Sequence, residues 1–174
     1  EVSLANGGTA SVSRRWAVDT ETAEVTLRDR VTNIGERPFA PMLMYHMNIG
    51  GWLAGAQTQI HGTMFADEKR HWRFGEGERG LFCIPATPGA EDGWARVVLG
   101  PFEALAGRSL AVRFFTGTLP FLQVWRCEAG AANVIGIEPV SHRLAKRTEL
   151  ADAGEMPMLE PGETVEYALA FHVR

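Results

Sequence analysis

What most constrains this chain is an alternation that keeps restarting. Residues 165 to 173 set Val165, Tyr167, Leu169, Phe171 and Val173 on one side of an extended chain and Glu166, Ala168, Ala170 and His172 on the other. That is the period of a strand with one buried face. Val25, Leu27 and Val31 repeat it in AEVTLRDRVTN, and Leu110, Val112 and Phe114 repeat it in SLAVRFF. WARVVLG and GLFCIP read as further strands, and no window of helical length carries an apolar stripe at a 3.6-residue period. Asn33-Ile34-Gly35 with Pro38, Pro88-Gly89, Gly100-Pro101, Gly130 and Pro161-Gly162 read as the reversals between strands. The charged, Gly-punctuated FADEKRHWRFGEGERG reads as a surface loop, and HRLAKRTELADAGEMP has room for one short helix. So many half-apolar strands must close on one another, since an open sheet of this size leaves apolar faces and edges in water. The expected fold is all-β, an antiparallel β-sandwich, with residues 1–174 as a single domain.

Composition narrows the partners. A hydrophobic content of 45%, a charged content of 22% and a mean hydropathy of -0.09 belong to an ordinary folded domain. A net charge of -4 supplies no basic surface for nucleic acid, whose non-specific affinity comes from Lys and Arg neutralising phosphates. No apolar run reaches the length of about 20 residues that spans a bilayer, and EVSLANGG lacks a secretory pattern, so no membrane contact and a cytoplasmic location are expected. Cys83 and Cys127 sit in apolar settings without metal-ligand spacing, and read as two buried free thiols or a disulfide.

Three stretches could carry chemistry. In PMLMYHMNIGG, residues 41 to 51, an extended chain turns Leu43, Tyr45, Met47 and Ile49 one way and Met42, Met44, His46 and Asn48 the other. A proton donor and an amide then share a face, although a histidine satisfied inside the core is the plainer reading. In NVIGIEPVSH, residues 133 to 142, Gly136 and Glu138 share a face, and the glycine clears space beside the carboxylate. Pro139 holds Glu138 extended and is expected to end regular pairing there; desolvation at that strand end would raise the carboxyl's pKa toward the range of a general base. In LPFLQVWRCE, Phe121, Gln123 and Trp125 share a face opposite Arg126, and an aromatic beside an amide suits the C–H face and hydroxyls of a sugar. His142, four residues past Glu138, is close enough in sequence to line the same hollow, against the plainer reading of a solvated loop histidine.

VTNIGERPFAPMLMYHMNIGG, LPFLQVWR, VIGIEPVSH and LEPGETVEYALAFHV, in that order, resemble the C-terminal part of the galactose mutarotase-like superfamily, in its aldose 1-epimerase-like branch. The resemblance runs over nearly the whole chain and is sharpest in YHxNxG at residues 45 to 50 and IEP at 137 to 139. It implies a large β-sandwich in which His46 is the general acid and Glu138 the general base. Better-known mutarotases place an aromatic pair before the Asn that follows the His, whereas here Asn48 follows Met47 alone. Relatives also carry an N-terminal portion that adds strands and sugar ligands, so the unpaired edges are expected to join such a segment or a second copy.

The expected function is anomer interconversion of a small sugar, with His46 and Glu138 catalytic from opposite sides of one hollow and Asn48, Gln123, Trp125 and His142 binding substrate. Acid–base ring opening needs no metal and no cofactor. The rival reading is a non-catalytic carbohydrate-binding sandwich, which needs the aromatic and amide face only. A cupin-like metal site is disfavoured because His46, His61, His71, His142 and His172 are scattered and form no HxH pair.

Overall fold

The computed structural model describes residues 1–4, 8–65, 69–70, 80–89, 93–127 and 132–174. Among the described residues twelve strands follow in chain order: β1 (Val2–Ser3), β2 (Thr9–Val18), β3 (Val25–Asn33), β4 (Met47–Gly50), β5 (Gln59–Gly62), β6 (Lys69–Arg70), β7 (Gly80–Pro85), β8 (Trp94–Phe102), β9 (Arg108–Phe115), β10 (Phe121–Cys127), β11 (Val134–Val140) and β12 (Thr164–Val173). One short helix, α1 (Arg147–Asp152), lies where the sequence has room for it. The strands form an eight-stranded sheet, ordered β1-β2-β3-β12-β9-β8-β5-β6, and a four-stranded sheet, ordered β4-β11-β10-β7. Every pairing is antiparallel.

The alternation read from the sequence decides which face of each sheet is dry. Leu27, Leu169, Val112 and Phe114 of the large sheet meet Leu122, Val124, Ile135 and Ile137 of the small one in a single core. On β12 the apolar stripe is buried at Tyr167 and Leu169 but emerges at Val173, and the small Ala168 and Ala170 are buried on the opposite face, paired in register with Arg28 and Arg113. The large sheet outruns the small one, so Val12, Trp16 and Val18 of β2 stay exposed.

Four local expectations change. Gly100-Pro101 is not a reversal: β8 runs through it, and the irregularity appears as a bulge between Leu99 and Phe102, with Gly100 at φ 151 where a Cβ would strike Ser109. The stretch 41–51 is a regular strand only from Met47, although Tyr45 and Ile49 point inward and Met44, His46 and Asn48 outward as the period requires. Within the charged stretch 65–80, Lys69–Arg70 pairs with β5, and most of the remainder, like Gly130, lies outside the described residues. Cys83 and Cys127 are free and half-buried, which removes the disulfide.

Truncating an inward residue should cost far more than truncating an outward one. Leu122→Ala is expected to lower unfolding free energy by about 2–5 kcal/mol in urea titration, whereas Leu81→Ala, on the outer face, should change it by no more than about 0.5 kcal/mol.

Candidate active site

The outer face of the small sheet gathers the candidate residues. Pairing sets Gln123 opposite Glu138, Trp125 opposite Gly136, and Gly136 opposite Asn48, so these side chains stand on one surface. His46 continues the outward series one step before β4, held by the Tyr45 backbone N–H donating to the Pro139 carbonyl at 3.0 Å. Strand period and pairing thereby bring together five of the six residues singled out in the sequence.

Glu138 is the centre of the group and is only 1% exposed. One carboxylate oxygen, Oε2, accepts a hydrogen bond from Gln123 Nε2. The other, Oε1, lies 2.9 Å from His46 Nε2 but outside hydrogen-bond alignment, so it has no hydrogen-bonded partner. The two residues expected as acid and base therefore touch, in place of facing each other across a hollow. His46 is 43% exposed and meets the Trp125 ring edge-on, with centroids 5.8 Å apart. Gly136 leaves the space into which the carboxylate folds: a Cβ there would collide with Glu138 Oε1 and approach Trp125 Cε3 at 3.4 Å.

Pro139 does not end the pairing with β10, which continues through Leu122–Pro139 to Phe121–Val140. In an antiparallel strand a residue's N–H and C=O point toward the same neighbour. The Pro139 carbonyl faces Tyr45, so the missing donor falls on the β4 side, where regular pairing stops at Met47–Ile137. Glu138 is accordingly a buried interior residue of β11 and not a strand-end residue.

His142 is not brought to the pair. It is half-buried with Nδ1 3.2 Å from Ser141 Oγ, and burial, aided by the charge of Arg147, holds its pKa below the ordinary value. It lines a cavity of about 510 Å³ with Met42, Thr118, Met156 and Tyr167, whose walls include neither His46 nor Glu138. Arg126 is buried on the opposite face, as strand parity requires.

Sequence reasoning missed a second buried carboxylate, whose signal was an acid standing on the apolar stripe of β3 between Leu27 and Val31. Asp29 is 1% exposed; it receives Arg14 Nε at 2.8 Å on Oδ1, and Arg14 NH2 and the Tyr45 hydroxyl, each at 2.7 Å, on Oδ2. Burial by itself would raise its pKa. The hydrogen bonds from Arg14 and Tyr45 and the Arg14 charge outweigh it and hold the carboxyl below the usual range. Burial and the Asp29 hydrogen bond push the Tyr45 phenol far up, so it remains a donor at neutral pH.

These side chains stand on a recognisable scaffold. A structure from Klebsiella pneumoniae subsp. pneumoniae MGH 78578, named provisionally as an aldose 1-epimerase, superposes with a TM-score of 0.71 at 16% identity, over 94% of this chain and 50% of that one. A similarly named structure from Escherichia coli K12 gives 0.64 at 15% identity, over 94% and 60%. A galactose mutarotase-like protein from Clostridium acetobutylicum gives 0.67 at 9% identity, over 97% and 58%. No curated protein matches. The chain thus spans between half and three fifths of the length of these structures. Its fold is the galactose mutarotase-like β-sandwich. More narrowly, the chain belongs to the family described as "Domain of unknown function (DUF4432)", which it matches over residues 4–173. Among the described residues no helix is long and apolar enough to cross a membrane.

Two outcomes follow from this geometry. Gly136→Ala should still fold, because the colliding atom is the free end of a side chain; it should displace the Glu138 carboxylate and shift the His46 imidazole resonances in ¹H–¹⁵N NMR, with a smaller fall in urea midpoint than Leu122→Ala. Asp29 has a lower pKa folded than unfolded, so its contribution to stability is full above the ordinary carboxylate range and lost as pH falls through the folded value. Asp29→Asn should therefore lose part of the acid-side decline in stability, read from melting temperatures between about pH 2 and 6.

Proposed function

We propose that this sandwich carries the acid–base centre of a carbohydrate epimerase of the mutarotase type, with His46 as acid and Glu138 as base. The observation that carries the reading is the His46–Glu138 contact on an outward sheet face, flanked by Trp125 and Asn48. The likeness in fold to proteins named as aldose 1-epimerases and mutarotases supports it.

Anomer exchange acts on two oxygens bonded to the same carbon, so its acid and base must be neighbours. Glu138 takes the proton of the C1 hydroxyl; the O1 electrons form the carbonyl as the C1–ring-oxygen bond breaks; protonated His46 gives its proton to the departing ring oxygen. After rotation about C1–C2 the ring oxygen attacks the other face of the carbonyl and returns its proton to His46, while Glu138 returns its own to O1. For Oε1 to meet the hydroxyl, His46 turns aside into the solvent it already faces, whereas Gln123 keeps the carboxylate in place. Trp125 offers an apolar edge to the sugar ring, and Asn48 an exposed amide for a hydroxyl.

The burial of Glu138 favours a second reading, a carbohydrate-binding face in which the carboxylate only holds His46. Anomer exchange followed by NMR on free aldoses separates the two. His46→Asn and Glu138→Gln should each slow exchange by about 10²–10⁴-fold. Sugar binding without exchange in the wild type would reject catalysis, and unchanged exchange in both variants would reject the assignment to His46 and Glu138.

A further inference from the structure

We propose that Tyr45 is a positioning residue for the proton-transfer pair, anchoring the His46 segment through the sandwich interior to Asp29 and Arg14 and so setting the register at which His46 meets Glu138. This rests on the acid–base reading above.

Tyr45 and His46 are consecutive on an extended segment, so fixing one side chain inward fixes the other outward. Tyr45 is held at two points. Its backbone N–H donates to the carbonyl of Pro139, the residue after Glu138, and its hydroxyl crosses the core to Asp29 at 2.7 Å. The first point ties the His46 strand to the Glu138 strand; the second ties it to β3 of the opposite sheet.

The hydroxyl anchor acts at a gap in the pairing. Regular pairing of β4 with β11 begins only at Met47, and on the other side of Tyr45 the segment is tied by the isolated Met44–Val140 bridge and the Leu43–Ser141 hydrogen bonds. The His46 side chain does not anchor itself in the core: it is nearly half exposed and meets Trp125 and the Glu138 carboxylate on the outer face. Asp29 makes a firm post. It is buried, forked by Arg14 on both oxygens, and stands in β3 between two paired strands, with Arg14 opposite on β2 and Tyr167 opposite on β12.

Misplacing a proton donor by about 1 Å is enough to cost about 10²-fold in rate. Tyr45→Phe keeps the ring in the core and removes only the anchor. It should lower kcat for anomer exchange by about tenfold or more, leave KM within about twofold, and shift or broaden the His46 imidazole resonances. Tyr167→Phe is the matched control: it deletes another buried tyrosine hydrogen bond, to the Pro41 carbonyl at the start of the same segment, while leaving the Tyr45–Asp29 bond in place, and should leave kcat and those resonances unchanged. If Tyr45→Phe does not fold, Asp29→Asn measured in the same way carries the test, as it weakens the post without emptying it. Wild-type kcat with unshifted His46 resonances in the folded variant overturns the proposal, as does an equal loss in Tyr167→Phe. Should the wild type itself catalyse no exchange, the acid–base reading fails, and the His46 resonances alone still decide whether Tyr45 sets the imidazole's position.

Discussion

A carboxylate shut inside a sheet face is the constraint around which the small sheet is arranged. Removing an ion from water costs several kcal/mol unless partners replace its hydration. Glu138 has those partners only in one arrangement: Gln123 on the same rung of the β10–β11 ladder, His46 alongside, and a glycine at 136 to leave room. A slip of one residue would turn Glu138 into the apolar core and Ile137 out to solvent. The contacts that accommodate the buried carboxylate thus also favour one strand register.

The sandwich holds a second buried carboxylate, and the two lie on opposite sides of the small sheet. Asp29 belongs to the interior between the sheets, and Glu138 to the outer face. Consecutive residues reach them, Tyr45 inward and His46 outward, because an extended chain alternates its side chains. A feature of the core is in this way mechanically joined to a feature of the surface, with no side chain spanning both.

Fold likeness at 9–16% identity places the chain on a scaffold and leaves its chemistry to be argued from the site. The asymmetry of the pair is informative there. His46 is reachable from solvent, while Glu138 is buried behind it. One Glu138 oxygen has a hydrogen-bond donor in Gln123, and the other, beside His46, has none.

Much of this could be read along the chain, because a strand's period is a local property. Alternation at Leu110, Val112 and Phe114, or at Gln123 and Trp125, needs only that the residues be extended, so the all-β class, the inward set and the shared faces followed from order alone. The same argument placed His46 with Asn48, and Gly136 with Glu138. Local order could not say which strands become neighbours, since that is settled by burying all the apolar faces at once. Only the tertiary structure therefore decided that His46 touches Glu138, that His142 turns to a different cavity, that Gly100-Pro101 is a bulge within a strand, and that the acid at position 29 survives burial because Arg14 and Tyr45 arrive from other strands to receive it.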